Sequence, residues 1–397
     1  MSFADSNRVG IRYVSESTWG TTPTGPSMQA LNFTGESLVS TNNTVTSDTI
    51  RSDRNVSDHT IVGGGAGGDA SFELRYGDID ELILGALNSS WVEVALTSSG
   101  VASAAFATAS TVISDSSILA SVVSGMFLRV NNATTAGNDG TFRVTRVSTV
   151  AAGRHEAHLA VASSNASPAF NAEIFGAATS IQGKNARNGT TLKSYTLEKA
   201  FGDIGVYHQF TGMRVTQMDL SLTSQQILTG SFGFTGKGQD VASATVASAV
   251  VDPSTNVVMN ASGNVGTIWE GGQSESDVIF QSIDLSINNN PREQTRVGSD
   301  QLAGVGLGRC EITGSFEAYF ANNAVITKYV DGTKTNVRFR VNDTSGNSYI
   351  VDVPRVTLMD VAVTADGPND DVMQNVSWGA AVDSTNTYAI QVTALDA

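Results

Sequence analysis

Residues Arg214 to Thr223 read RVTQMDLSLT, and residues Arg355 to Thr364 read RVTLMDVAVT. In the first, Thr216, Met218, Leu220 and Leu222 fall on one side of an extended chain, and Gln217, Asp219, Ser221 and Thr223 fall on the other. Alternation with a period of two predicts a strand with one buried face. In the second block Asp360 takes the place of Asp219. Two further blocks recur in the same order. FTGESL (Phe33 to Leu38), followed by Asn42 and Asn43, answers FQSIDL (Phe280 to Leu285), followed by Asn289 and Asn290. Ser71, Phe72 and Glu73 answer Ser315, Phe316 and Glu317. One β unit used twice gives a subunit two quasi-equivalent sets of contact surfaces, which suits a symmetric assembly better than an enzyme built round one cleft.

The spacing of the blocks locates an interruption. Phe72 lies 142 positions before Arg214, whereas Phe316 lies only 39 before Arg355, so the first copy carries about 103 extra residues. That is enough for a small domain. The expected partition is an N-terminal arm (1–28), a first unit (29–90 with 191–236), an inserted all-β domain (91–190), a linker (237–276), a second unit (277–382) and a C-terminal tail (383–397). The fold class is mainly β, with some α: two tandem sandwich units, each with one short helix, and the insert.

In each unit the first strand and its partner make a long hairpin. Ile279, Ile283, Leu285 and Ile287 oppose Phe280, Ser282, Asp284 and Ser286, and Phe72 and Leu74 oppose Ser71 and Glu73. The connections, Thr44 to Gly68 and Pro291 to Gly308, exceed ordinary hairpin loops, so they are expected to be mobile arms that reach a neighbour. Arg51, Asp53, Arg54 and Asp58 in the first, and Arg292, Glu293, Arg296 and Asp300 in the second, carry their charge. A helix follows each hairpin. Asp78 with Glu81 reads as a capping box for the first, and Asn322 or Asn323 as the cap of the second. In the insert, Met126 to Val130 and Thr141 to Val147 flank the turn signal Gly137 to Gly140, with Arg154 to Val161 as a third strand. No counterpart of the insert exists in the second unit, so it is expected to be dispensable.

Only 15% of the 397 residues are charged, Gly is abundant at 39, and the net charge is −15. The bias is toward strands and turns. A surface that grips nucleic acid by its phosphates needs clustered Lys and Arg, which this chain lacks. A single cysteine, Cys310, excludes an intrachain disulfide framework. The N-terminus has no basic and apolar signal-peptide pattern, and the most apolar stretch, Val101 to Val130, is broken by serines and Asp115, so the expectation is synthesis in the cytoplasm without a membrane anchor.

No catalytic or ligand-binding motif stands out in the chain. The run Gly63 to Gly68 and the pair Gly236 and Gly238 lack the phosphate-loop pattern and read as flexible loop tips. His155 and His158 fall on opposite faces of a strand, and the carboxylates from Asp366 to Asp371 lack the calcium-loop spacing. No catalytic set, metal site or cofactor is expected. The carboxylates that do show a pattern are Glu73, Asp219, Asp284, Glu317 and Asp360, on the polar faces of strands. They mark either a solvated sheet face or the lining of a lumen.

VGIRYVSESTWGT (Val9 to Thr21), the FTGESL start at Phe33, the long glycine-rich hairpin, the short helix and the inserted GNDGTFRV hairpin (Gly137 to Val144) resemble the major tail tube protein of long, non-contractile-tailed bacteriophages. That resemblance implies a structural virion protein, made in the host bacterial cytoplasm, whose sandwich domains form rings with a continuous inner barrel. The rings stack into a conduit for DNA. It also implies an acidic lumen through which the tape-measure protein and DNA pass, and other tail proteins at the tube ends. Members with one tube domain form rings of six, so a duplicated chain implies a homotrimer with a pseudo-hexameric ring. The insert would then decorate the outside. Two other readings stay open: an acidic, Ig-like surface or adhesin-type binding module, and a tail-tip glycan hydrolase with paired carboxylates.

Overall fold

The computed structural model describes residues 3–97, 105–107, 111–114, 121–150, 154–161, 170–171, 173–174, 178–271, 273–274, 278–365 and 367–397. Strands dominate. The chain begins with β1 (Val9–Ser15), β2 (Ser27–Leu31), β3 (Gly35–Glu36), β4 (Val39–Thr46), β5 (His59–Glu73) and helix α1 (Asp80–Leu87). The insert supplies β6 (Val92–Thr97), β7 (Ala105–Ala107), β8 (Thr111–Ser114), β9 (Phe127–Asn131), β10 (Gly140–Val150), β11 (Arg154–Val161), β12 (Glu173–Ile174) and β13 (Ser180–Arg187). Then come β14 (Tyr195–Phe201), β15 (Val206–Thr223), β16 (Thr229–Gly236), β17 (Gly238–Ala242) and β18 (Ala249–Val251). The remainder is β19 (Val265–Glu270), β20 (Gln273–Ser274), β21 (Phe280–Asn288), β22 (Pro291–Gln294), β23 (Gly304–Leu307), β24 (Glu311–Tyr319), α2 (Ala324–Val330), β25 (Thr335–Asn342), β26 (Ser348–Thr364), β27 (Met373–Ala380) and β28 (Gln391–Leu395).

The alternating blocks assemble into one antiparallel sheet. Its order is β3 with β4, then β5, β16, β15, β21, β24, β27 and β26. Gly35, Ser71, Ser231 and Asp219 stand side by side across the first four positions. Asp284, Ser315, Ser377 and Asp360 do the same across the last four. Ser71 therefore corresponds to Ser315 and Asp219 to Asp360, as the sequence blocks predict. The first strand differs: Gly35 answers Asp284, two residues out of step with the FTGESL and FQSIDL match. A shift of two preserves which side chains face inward, so alternation alone does not reveal it.

Strands β15 and β26 are long enough to serve two sheets. The first half of β15 pairs with β14 and β17, and β1 lies beyond β14. The first half of β26 pairs with β25 and β28, and β19 lies beyond β25. Residues read from the sequence as arm, linker and tail thus supply β1, β17, β19 and β28. The tail, whose strand-like stretch is read at Tyr388 to Val392, supplies β28 slightly further on, buried along its whole length although Gln391 and Thr393 alternate with Val392 and Ala394. One contiguous core joins both copies, from the stacked rings of Phe72 and Phe232, 5.0 Å apart, through α1 to Phe316 and Trp378.

Several local expectations change. Gly63 to Gly67 are not a loop tip but part of β5, paired with β4. A Cβ at Gly64 would meet the Thr41 carbonyl at 2.3 Å, and Gly68 has φ +134 with the Ser37 carbonyl equally close, so glycine is needed where the strands cross tightly. The second connection is likewise a hairpin, β22 with β23. No capping box forms at α1: its N-cap is Ile79, Asp78 accepts from the Ser254 amide at 3.1 Å, and Glu81 pairs with Lys193 at 2.8 Å. At α2 Asn322 accepts from the Ala324 amide, while Asn323 makes no cap bond. Finally, a register shift at Gln281 turns Phe280 inward against Phe316 and leaves Ile279 exposed.

The insert forms the expected hairpin of β9 with β10, extended by β11, and has an apolar cluster that includes Leu128, Val130, Phe142, Val144 and Leu159. It is also bolted to the second copy. β13 pairs with β28, Phe127 is buried against Ile350 and Leu395, and Arg129 donates to the carbonyls of Gly346 and Asp396, both at 2.7 Å. Asn185 bridges the Phe127 backbone and Thr393. These contacts argue against dispensability, because removing 91–190 would strip β28 of one of its two partner strands. Phe127→Ala should lower the unfolding free energy by about 3–5 kcal/mol, read in urea melts, whereas Val123→Ala, at an exposed position, should cost less than about 0.5 kcal/mol.

Candidate functional site: an acidic sheet face, two arms and two free edges

The eight-strand sheet has unlike faces. Met218, Leu220, Leu222, Ile283, Leu285, Ile287, Phe316 and Val376 point into the core. The opposite face carries all five carboxylates singled out by alternation, brought onto one surface. The residue row Asp360, Ser377, Ser315, Asp284, Ser221, Thr229, Glu73 crosses seven strands without a break. Asp219 lies in the next row beside Ser231 and Ser286, and Glu317 lies between Ser282 and Asn375. Asp69 and Glu311, which alternation also puts on the polar sides of their strands, lie on the same face beside Gly233 and Asn288.

What surrounds these carboxylates decides their chemistry. Segments 69–73, 217–223, 229–236, 280–288, 311–319, 357–364 and 373–380 contain no Lys or Arg. Hydroxyls and amides hold the charges instead. Ser221 donates to Asp284 at 2.7 Å, and Gln217 donates to Asp219 at 2.8 Å. Cations approach only at the margins, Arg75 at 3.9 Å from Glu73 and Arg309 at 2.5 Å from Glu311, where the guanidinium holds the Glu311 carboxyl below its usual range. The face is therefore a negative surface with polar, neutral filler, compensated at its margins. No cluster of three or more metal-ligating side chains occurs among the described residues.

The arm residues cluster as well. Arg51, Asp53, Arg54 and Asp58 sit in the turn joining β4 and β5, all exposed. Arg51 grips Asp53 through two bonds of 2.9 and 2.6 Å, which holds that carboxyl well below the ordinary range. Arg292 and Glu293 are on β22, and Arg296 and Asp300 are in the turn beyond it. Both hairpins leave the same end of the sheet, and Leu302, 4% exposed, tucks between them against Gly65. Around them Ile50, Val297, Val56 and Val62 are bare.

The sheet ends on two edges without partners. Among the described residues, 357–364 of β26 pair only with β27, and β3 and β4 pair only with β5. Open edges of this length invite pairing with another chain. Residues 6–380 match the family described as phage tail tube protein. The chain belongs to that family. No match was found among the curated proteins compared with it. As a tail tube protein it is a structural component of the virion tail, and tube proteins assemble with themselves and with other tail proteins, which accounts for open edges on an otherwise well-buried molecule. The adhesin and hydrolase readings lose their support with this assignment. Among the described residues no helix of this tail tube protein is long and apolar enough to cross a membrane. Cys310 is half-buried, which pushes its thiol up to about 11 and leaves it a poor nucleophile.

Ser221→Ala removes a hydrogen bond that ties the two copies together on this face. It should lower the urea midpoint by the equivalent of about 1 kcal/mol without changing the slope of the transition.

Proposed function

We propose that three chains close into a ring whose inner wall is this sheet, that rings stack into the tail tube, and that the acidic face lines a lumen through which the tape-measure protein and DNA pass. The observation that carries the reading is the continuous sheet itself: seven carboxylates and no Lys or Arg on one face, and an unpaired strand at each end. Eight strands from each of three chains make 24. With strands about 4.8 Å apart and tilted roughly 40°, such a barrel measures about 48 Å across at the backbone. That leaves room for a duplex after the side chains are counted.

In this ring each chain supplies two tube units of the same strand order, which gives pseudo-sixfold symmetry. The insert lies outside, and the arms with Arg51, Asp53, Arg54, Asp58, Arg292, Glu293, Arg296 and Asp300 reach the adjacent ring. Glu73, Asp219, Asp284, Glu317 and Asp360 face passing phosphates. Carboxylates within a Debye length of about 8 Å repel them at physiological salt, and a wall that repels DNA does not retain it.

Electron microscopy of the purified chain should show stacked rings with threefold symmetry, and a discrete monomer under all assembly conditions would overturn the proposal. Replacing Glu73, Asp219, Glu317 and Asp360 together by Lys should leave tubes that retain DNA at low salt and release it at high salt. Normal release from that variant would remove the lumen assignment.

A further inference from the structure

We infer that the β15–β21 junction inside one chain is the template for the contact between chains: residues 357–364 of β26 pair antiparallel with residues 33–39 of the next copy, with Ala362 opposite Gly35. This rests on the ring reading above and adds to it a residue-level register.

The chain contains two copies of each partner strand but only one of the two possible junctions. β15 lies against β21 over Gln217 to Thr223, with Ser221 opposite Asp284. β26 is the counterpart of β15, since Asp219 and Asp360 face Ser231 and Ser377 at the same place in the two copies. β3 and β4 are the counterpart of β21, since Gly35 and Asp284 face Ser71 and Ser315. Transferring the internal register places Ala362 opposite Gly35, and Leu358 opposite Leu38.

Exposure shows what is missing. Leu222, covered by β21, is 4% exposed; its counterpart Val363, with nothing beside it, is 38% exposed. Met359, the extra residue of a bulge in β26, is 61% exposed on the same edge. On the opposite edge Val39 is 54% exposed. A strand from a second copy supplies both the backbone partners and the apolar cover.

The two junctions differ in one respect. Inside the chain, Ser221 donates to Asp284 across the seam. Between chains, Ala362 and Gly35 hold the corresponding places and provide no such bond. At this row the contact between copies therefore relies on backbone bonds and apolar cover. A Cβ at Gly35 would meet nothing within 4 Å, so the position accepts a side chain.

Cross-linking tests the register, because directly opposed residues in antiparallel strands lie about 4.5–5.5 Å apart at Cα, within disulfide reach. In a Cys310→Ser background, oxidised tubes of Ala362→Cys with Gly35→Cys should migrate as covalent multimers without reductant, and Ala362→Cys with Ser37→Cys should not. Links through Ser37→Cys alone would overturn the register. Absence of links from either pair in tubes visible by microscopy would overturn the interface and leave the tube reading standing. Absence of tubes from the unaltered chain would overturn the ring reading itself. If a cysteine pair does not fold, Ala362→Ser with Gly35→Asp decides: installing the missing bond should raise the urea midpoint of tube disassembly, and an unchanged midpoint would count against the register.

Discussion

The antiparallel seam between β15 and β21 is the contact on which the rest of this structure depends. Seven residue pairs, from Gln217 with Asn288 to Thr223 with Ser282, turn two four-strand runs into one sheet. With the seam in place, Leu220 and Leu222 of one copy share a buried layer with Leu285 and Ile283 of the other. The polar face becomes continuous by the same step. A seam slipped by one residue would exchange the faces, so burial of these leucines enforces the register that lines up the carboxylates.

Continuity in that sheet coexists with asymmetry outside it. Both copies send the first half of a long strand, β15 or β26, into a second sheet. Only the second copy's β28 goes on to pair with the insert through β13. The buried pair of Arg338 and Asp352, 2.7 Å apart, with Tyr388 donating to the same carboxylate at 2.6 Å, lies beside this attachment. A buried pair of this kind is costly to break from one side; it ties β25 to β26 within the second copy, and its Arg338 guanidinium lies over the Phe127 ring of the insert, 5.0 Å from the centroid. The insert is thus joined to the second copy by strand pairing as well as by buried side chains.

The polar face shows how a sheet tolerates a dense negative surface. Its carboxylates alternate with Ser, Thr and Asn, whose hydroxyls and amides donate without neutralising the charge. A face compensated by Lys and Arg would be more stable by small increments for each exposed pair. It would also attract phosphate. The composition chosen keeps the field and satisfies the hydrogen bonds.

The duplication, the alternation and the position of the insert are legible in the sequence because each is a local pattern: similar blocks at fixed order, a period of two, a gap of about 103 residues. From those follow the mainly β class, the hairpins of the insert and the five carboxylates on polar faces. What stayed hidden depended on residues distant in the chain. The Gly63 to Gly68 run looks like a loop until the Thr41 carbonyl is seen 2.3 Å from where a Cβ would be. β28 alternates polar Gln391 and Thr393 with apolar Val392 and Ala394 and yet is buried throughout, because β13 and β26 flank it and Asn185 accepts from the Thr393 hydroxyl. The step of two between Gly35 and Asp284 leaves the in-and-out pattern untouched, so only hydrogen-bond partners reveal it. Local periodicity says which way a side chain faces; only tertiary pairing says which strand lies beside it, because that choice is made by backbone groups common to every sequence.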